Sequence, residues 1–160
     1  MSRLESMRRR LTAQIDGLNW AIAETAHLDG PMLELGLGNG RTYDHMREYG
    51  DGRRILVIDR QLNCHPTCTP PAEDYFEGEA DDMLRVMAER GIKVALAHYE
   101  LGIGIRDQDE VEAERLSPLL VDVMMPGGIL VSQQPIVGIP RIAGPDSVKN
   151  ERYLFYQAPA

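Results

Sequence analysis

The sequence has few cysteines, a deficit of basic residues and no long apolar run. It contains two cysteines in 160 residues, and a chain of this length buries most of its core without disulfides or metals. The low cysteine count is typical of a reducing compartment, so we expect a cytoplasmic location. No apolar run approaches the ~18 residues that a membrane span needs. The N-terminus combines arginines with an amphipathic stretch instead of a signal-peptide core, so we expect no membrane association.

The charge balance disfavours a further class of partner. With 25 acidic and 17 basic residues, the formal net charge is −8, which repels a nucleic-acid backbone unless the arginines cluster. We therefore expect a small molecule or another protein as partner, and no nucleic acid. Internal repeats and low-complexity tracts are lacking, so one domain is predicted, with an N-terminal helix (1–29), a core (31–132) and a C-terminal segment (133–160).

The most informative stretch is a glycine-rich turn after a short apolar run. Gly36, Gly38 and Gly40 are spaced every second residue, and a helix-like segment follows from residue 42 to 49. Glycines allow positive φ and a close approach of a ligand to the backbone, while the following helix exposes unpaired N–H groups. The pattern predicts a strand, a tight turn and a helix start that together hold a ligand, with Asn39 and Arg41 in the same turn.

A second apolar run, residues 54–58, predicts a strand buried on both faces, and it ends in Asp59. An acidic residue there, 19 positions after Gly40, is well placed to accept hydrogen bonds from the two hydroxyls of a ribose. The alternative is a solvated turn aspartate. The preceding glycines favour the ribose interpretation.

Strands and helices alternate along the rest of the chain. Further strands are predicted at 75–76, 93–97, 129–131 and 153–156, and helices at 80–90 and 107–125, the second kinked or interrupted at Pro118. The alternation indicates an α/β fold with a doubly wound, mostly parallel sheet and helices on both faces. Ligands of such sheets bind beyond the carboxyl ends of the strands, where we place the glycine turn, Asp59, Glu79 and His98.

The N-terminal residues 3–27 predict one amphipathic helix. Apolar residues recur at intervals of three and four, and Arg8, Arg9 and Arg10 belong to its solvated part. This apolar stripe packs on the domain, or else it forms a subunit contact or a lid with Trp20 facing the pocket. The stripe comprises Leu4, Met7, Leu11, Ile15, Leu18 and Ile22.

Cys64, His65 and Cys68 lie in a loop and offer three metal ligands at most. A structural zinc site needs a fourth ligand, and none stands nearby in the sequence. We therefore expect no metal site.

Several of these motifs together resemble the class I S-adenosylmethionine-dependent methyltransferases. They are Glu34-x-Gly36-x-Gly38-x-Gly40, Asp59, the Glu79-Ala80 pair and the turn and strand at 125–131. The likeness spans about residues 31–132. More specifically, the short chain resembles a group of small stand-alone bacterial methyltransferases. A dinucleotide fingerprint, G-x-G-x-x-G, has its third glycine where Arg41 stands here. The spacing therefore favours the methyl donor over NAD.

The resemblance implies a role for each motif residue. At the methionine end of the donor, the backbone of Gly36, Gly38 and Gly40 passes along the methionine and ribose. Glu34 faces the positively charged end, and the backbone around His98 meets the ammonium group. Arg41 pairs with the donor carboxylate.

At the adenosine end, the resemblance assigns the ribose hydroxyls to Asp59 and places Arg60 beside the adenine. Glu79 accepts from the adenine amino group, and the Ala80 N–H donates to a ring nitrogen.

The sequence also departs from this family. The usual fold continues after the last matched strand with a helix and a two-strand hairpin, for which residues 133–149 are too few. We expect a fold trimmed at its C-terminus, with an edge or the N-terminal helix covered by a second subunit. The Asn/Asp-Pro-Pro-Tyr/Phe signature of amino-directed nucleic-acid methyltransferases is replaced by His98-Tyr99-Glu100, and no carboxylate trio is arranged for a metal-dependent mechanism.

Methyl transfer from a sulfonium requires an aligned acceptor and removal of its proton. His98 is the predicted base, because a histidine titrates near working pH; the alternative is a packed strand-end residue. Tyr99 and Gln133 are weaker candidates for orienting the acceptor. We expect transfer from S-adenosyl-L-methionine to a small molecule, giving S-adenosyl-L-homocysteine. The alternatives are a non-catalytic donor- or nucleotide-binding module, such as an assembly subunit, and a different cofactor.

Overall fold

The protein, analysed as a computed structural model that describes residues 1–149 and 153–160, is a seven-stranded sheet between two layers of helices. Two short 3₁₀ turns, Pro66–Cys68 and Ala72–Asp74, lie in the connection between residues 59 and 75. The elements follow in the order α1 (Arg3–Glu24), β1 (Met32–Leu35), α2 (Arg41–Tyr49), β2 (Ile55–Asp59), β3 (Tyr75–Glu77), α3 (Ala80–Glu89), β4 (Val94–Tyr99), α4 (Arg106–Val123), β5 (Met124–Ser132), β6 (Arg141–Ile142) and β7 (Leu154–Gln157).

The strand order across the sheet is β3-β2-β1-β4-β5-β7-β6. The first five strands run parallel, whereas β7 pairs antiparallel with both β5 and β6. The chain first extends the sheet from β1 towards β3 and then returns to the other side of β1 with β4. This confirms the doubly wound, mostly parallel sheet, and the reversal beside β1 is where such sheets bind ligands.

Each face of the sheet buries its own apolar cluster, because successive strand residues point to opposite faces. Leu33 and Leu35 of β1 belong to the cluster that includes residues of α3 and α4. Met32 of the same strand belongs to the cluster formed with α1 and α2. Glu34 shares the face of Met32, so a carboxylate lies in an otherwise apolar layer.

Helix α1 packs on the sheet only through its C-terminal half, so the predicted apolar stripe is only partly correct. Leu4, Met7 and Ile15 are 77%, 52% and 47% exposed. Small side chains let the helix approach the sheet closely, and the buried face is rotated towards Ala13, Gln14, Gly17, Leu18, Ala21 and Ile22. The alternative in which Trp20 faces the pocket is wrong, because its ring packs edge-on against Phe155 with centroids 5.2 Å apart.

Helix α4 and strand β5 follow each other without a loop. Pro118 is exposed and lies inside one continuous helix, so it does not interrupt the helix as predicted. The predicted turn at 126–128 is part of β5, which already pairs with β4 through Met124 and Val94. The pairing register shifts between Val94 and Leu96, and this irregularity accommodates the proline and glycines.

The short C-terminal segment confirms the trimmed fold and shows which part is lost. In the described part of the segment no α-helix follows β5, and β6 has two residues. Both antiparallel strands are nevertheless present, so the reduction affects the helical layer and the strand length more than the number of strands. No helix within residues 1–149 or 153–160 is both long and apolar enough to cross a lipid bilayer.

Candidate functional site

A cavity of ≈ 600 Å³ lies at the carboxyl ends of β1, β2 and β4. This volume falls within the range of small-molecule sites in proteins. Its wall is built from α1 (Arg10, Leu11, Gln14), the glycine turn and start of α2 (Gly36, Leu37, Gly38, Asn39, Arg41, Thr42), β2 and its end (Ile58, Asp59, Arg60), the start of α3 (Gly78, Glu79, Ala80), β4 and the next loop (Tyr99, Glu100, Leu101, Gly102, Ile103) and α4 (Gln108, Asp109, Glu112).

The glycine turn has the predicted conformation. Gly36, Gly38 and Gly40 have φ values of 92°, 51° and 83°, in the region that side chains disfavour. A Cβ at Gly38 would have no neighbour within 4 Å, so the backbone there is open to a ligand. A Cβ at Gly40 would lie 2.5 Å from the Cβ of Cys68, so this glycine serves packing and does not line the cavity.

The Asp59 carboxylate joins the ends of β1 and β2. One oxygen accepts the N–H groups of Leu37 and Gly38, at 2.8 and 3.2 Å, and the other accepts the Arg60 N–H at 2.7 Å. The side chain also lines the cavity. Asp59 therefore has two capacities that the sequence suggested only in part: it fixes the glycine turn, and its remaining lone pairs can accept from a ligand.

The first residues of α3 form the wall beyond Asp59. Glu79 is the N-cap of the helix, but its side chain makes no capping hydrogen bond and is exposed. The N–H groups in the first turn of a helix lack partners within that helix. Glu79 and Ala80 thus have a carboxylate and backbone donors that a ligand could contact.

Glu34 and His98 form a buried ion pair behind the cavity. They are register neighbours on the adjacent parallel strands β1 and β4, and His98 Nδ1 lies 2.8 Å from Glu34 Oε1. Both side chains are fully buried, and neither lines the cavity. Burial raises the pKa of Glu34, against the opposing effect of the His98 charge.

His98 does not lie at the mouth of the site, so its predicted role as the base needs correction. Its other nitrogen, Nε2, lies 3.2 Å from Glu100 Oε2, which places the imidazole between two carboxylates. Burial alone would lower the pKa of His98, but the charge of Glu34 and the hydrogen bonds to both carboxylates outweigh it and raise the pKa to about 10. The ring is therefore protonated at neutral pH and cannot accept a proton from a substrate.

Glu100, which contacts His98 on its buried side, is a charged residue of the cavity wall. Oε1 accepts from the side-chain amides of Gln14 (2.8 Å) and Gln133 (3.2 Å), and Oε2 accepts from the Tyr153 hydroxyl (3.0 Å). Burial would raise the pKa of Glu100, but the hydrogen bond and charge of His98 hold it below its usual range. Glu100 is ionised and lines the cavity.

The sequence interpretation missed Glu100 and the contribution of α1. Glu100 directly follows a buried strand, which is the signal that identified Asp59. Gln14 is a polar side chain on the buried face of a helix, and such a residue needs a hydrogen-bond partner. Among the other predicted residues, Asn39, Arg41 and Arg60 lie exposed at the cavity rim.

The loop with the two cysteines packs under the glycine turn and away from the cavity wall. Both cysteines are free thiols, and Cys68 is buried against Gly40. Across the described ranges of the chain, no group of three or more His, Cys, Asp or Glu side chains could hold a metal ion.

The whole chain matches one protein family. The model of the family described as "S-adenosyl-L-methionine methyltransferase" matches residues 1–158. Comparison with curated proteins gives no match.

Among solved structures, the chain is similar to an S-adenosyl-L-methionine methyl transferase from Silicibacter pomeroyi DSS-3, with 36% identity, a TM-score of 0.93 and 98% of each chain covered. A hypothetical protein from Thermus thermophilus has 12% identity and a TM-score of 0.58, over 85% of this chain and 78% of that one. NSun6 from Pyrococcus horikoshii with SFG has 13% identity and a TM-score of 0.51, over 75% and 37%. The two distant likenesses concern the fold alone.

Proposed function

Because the chain belongs to the S-adenosyl-L-methionine methyltransferase family, we propose that it methylates a small molecule bound in the cavity beside the donor. Family membership establishes the enzyme class and the cofactor, S-adenosyl-L-methionine, and thereby decides against a non-catalytic binding module and against NAD. The acceptor and the roles of the residues are our proposals.

The cavity residues fit the donor. The backbone beside Gly38 is open where a Cβ would stand on any other residue, and the Asp59 oxygens face the same space. Asp59 would hold the ribose hydroxyls, Glu79 and Ala80 the adenine, and Arg41 the carboxylate of the methionine end. When bound, the donor supplies a methyl group already activated by the positive charge of its sulfur.

Other predicted donor residues act indirectly in this proposal. Gly36 and Asn39 shape the turn, Gly40 packs it on Cys68, and Arg60 lies at the rim on the adenine side. Glu34 and His98 support the cavity floor from behind and do not touch the donor. The chain's own contribution to the reaction is then to bind, orient and shield the two substrates.

The enclosure of the cavity by α1 supports a small acceptor. Arg10, Leu11 and Gln14 of the helix form one wall, so the reacting space lies between a helix and the sheet. The net charge of −8 also disfavours a polyanionic acceptor such as RNA. The wall that α1 adds beside the sheet is the observation that carries the proposal.

The acceptor class can be tested with methyl-labelled S-adenosyl-L-methionine and three fractions of a bacterial extract. These are metabolites below ~3 kDa, total RNA and total protein, each incubated with the full-length chain. We expect label only in the metabolite fraction. Label in RNA or protein would overturn the small-molecule acceptor while leaving the donor assignment intact.

We also propose that the protein self-associates and works in the cytoplasm. Self-association is supported by the exposed apolar side chains of α1, Leu4, Met7 and Ile15. The location is supported by the two free cysteines and can be tested by cell fractionation.

A further inference from the structure

Four features that could contact substrates follow one another across the sheet. Glu79 follows β3, Asp59 ends β2, Gly36 follows β1 and Glu100 follows β4. The strand order β3-β2-β1-β4 places their carboxyl ends in that same sequence along one edge. If adenosine lies at the first two positions and methionine over the glycine turn, the fourth position is where the acceptor meets the methyl group. The inference below rests on this proposed arrangement of the donor.

The Glu100 side chain is held on the β5 side of β4. Two of its hydrogen-bond partners, Gln133 after β5 and Tyr153 before β7, adjoin strands beyond β4, and a third, Gln14, is on α1. The side chain is 21% exposed and lines the cavity. Glu100 therefore borders the acceptor end of the cavity and not the adenosine end.

The charge of Glu100 is not cancelled by the buried groups behind it. Glu34 and His98 share one proton and are neutral as a pair, and the other partners of Glu100 are neutral amides and a hydroxyl. Arg10 also lines the cavity, and its charge helps to lower the pKa of Glu100, but the side chain is exposed, so water screens this interaction and Arg10 does not neutralise the carboxylate. The acceptor end of the cavity thus carries a fixed negative charge.

We propose that Glu100 selects the acceptor and that the acceptor is an amine. The nitrogen lone pair forms the new N–C bond while the C–S bond breaks and its electron pair stays on sulfur. The positive charge passes from sulfur to nitrogen, which then loses a proton to water. A fixed carboxylate beside that nitrogen stabilises the charge that develops there, whereas it repels an anionic nucleophile such as a carboxylate, phenolate or thiolate.

Glu100 acts through its charge and not as a base. Its two oxygens already accept four hydrogen bonds, from His98, Gln14, Gln133 and Tyr153, and an ionised carboxylate offers about four acceptor positions. His98 is a positioning residue, because it holds Glu100 in place from a side that substrate does not reach.

The chemistry of the product provides the first test. The full-length protein is incubated with methyl-labelled donor and the metabolite fraction, and the labelled product is purified and its methylated atom identified by mass spectrometry. An N-methyl product retained by a cation exchanger and stable to mild base supports the inference. A methyl ester, ether or thioether overturns the amine acceptor but leaves the small-molecule acceptor intact. The absence of label in the metabolite fraction overturns both the amine and the small-molecule acceptor.

Variants provide the second test, with binding measured separately from turnover. Glu100→Gln should slow transfer by ~10²-fold and weaken calorimetric binding of the identified amine to the protein saturated with S-adenosyl-L-homocysteine. Affinity for S-adenosyl-L-homocysteine itself should change by less than about twofold. Glu100→Asp, which keeps the charge, should retain more activity than Glu100→Gln, and Glu114→Gln, an exposed carboxylate on α4, should match wild type.

Other outcomes contradict the inference. Equal losses of amine and S-adenosyl-L-homocysteine affinity in Glu100→Gln would indicate a structural role only. Unchanged transfer in that variant would exclude Glu100 from acceptor selection. If Glu100→Gln does not fold, the atom methylated by the wild-type protein still decides for or against an amine.

Discussion

The three glycines of the glycine turn are not equivalent residues. All three have positive φ, but only Gly38 borders open space, whereas Gly40 packs directly on Cys68. One position therefore serves ligand approach and the other serves packing, although their spacing in the sequence makes them look alike.

This difference predicts different phenotypes for two alanine variants: mainly a loss of ligand binding for one and mainly a loss of stability for the other. Gly38→Ala should cost about 1–2 kcal/mol of unfolding free energy from its left-handed backbone alone and strongly weaken binding of S-adenosyl-L-homocysteine. Gly40→Ala should destabilise the fold by a further ~1–3 kcal/mol, since the new methyl group overlaps Cys68. Urea unfolding and calorimetry on both variants check this. Equal stabilities would contradict the packing role of Gly40.

His98 predicts a specific dependence of stability on pH. Its pKa is about 10 in the folded protein and about 6.5 for an ordinary histidine, so the folded state binds the proton more tightly. The stabilisation is fully present below pH 6.5 and is lost as the pH rises towards 10. Unfolding free energy should then fall by up to ~1.4 kcal/mol per pH unit in this window.

The matched variant for this prediction is His98→Gln. Removing the cation leaves Glu34 and Glu100 buried and uncompensated, which should cost about 3–5 kcal/mol at neutral pH, and the pH slope should flatten. The other group facing the imidazole, the Tyr153 hydroxyl, has its pKa raised further above 10 by burial, so it stays protonated in the window. Urea unfolding from pH 6.5 to 9.5 checks both expectations; equal slopes in the two proteins would mean that His98 is neutral.

At the scale of elements, the packing of α1 against β7 centres on the ring of Phe155. Phe155 is buried, and two residues of α1 contact its ring. Trp20 packs edge-on against the ring, and Gly17 lies beside it. Gly144 approaches the same ring, and a Cβ there would lie 2.3 Å from its atoms. The ring therefore contacts two glycines: a Cβ at Gly144 would overlap it, whereas a Cβ at Gly17 would lie 3.1 Å from it and would need only a small shift.

Gly144→Ala should therefore destabilise the protein by about 1–3 kcal/mol through overpacking. In a Phe155→Leu background the same substitution should cost less, because the smaller side chain leaves room for the methyl group. A double-mutant cycle from urea unfolding measures the coupling. Additive effects of the two substitutions would refute this explanation.

Elements with strong local patterns could be predicted from sequence, and those decided by tertiary contacts could not. The buried strands around Val57 and Leu96 and the turn at the glycines follow from local composition. The rotated face of α1 does not, because close approach through Ala13 and Gly17 outweighs the spacing of larger apolar residues. Likewise, the side of β4 on which His98 lies depends on its register with Glu34, which only the folded sheet defines.

At the scale of the whole molecule, the structure has a cavity in the region where the sequence predicts the site, and its wall includes residues that the prediction left out. Strand ends identified the region of Asp59 and Glu79, since the fold class dictates where parallel strands present ligands. The wall contributed by α1 and the charge of Glu100 depend on contacts between residues 86 positions apart. Such contacts leave no local signal in a single sequence.

The prediction at the scale of the whole molecule concerns the molar mass of the protein in solution, which reports whether it self-associates. If the exposed side chains of α1 form a subunit contact, light scattering at micromolar concentration should give more than the 17.9 kDa of one chain. Met7→Glu should shift the mass towards the monomer, because it places a charge in the apolar contact, whereas Glu24→Gln at the other end of the helix should not. A wild-type monomer would leave these side chains as ordinary exposed residues.

The contact between Gln14 and Glu100 also has a kinetic consequence. The first half of α1 buries little apolar surface, so it should detach from the sheet at a lower free energy than the rest of the fold. Gln14 is the first polar residue of the packed half, so detachment up to this point removes the part of the cavity wall formed by Arg10 and Leu11 and exposes the hydrogen bond between Gln14 and Glu100 to water, whereas the glycine turn stays in place. Substrate entry and product release would then depend on how often a helix end opens, and turnover could be set by that opening rate even when the methyl transfer itself is fast.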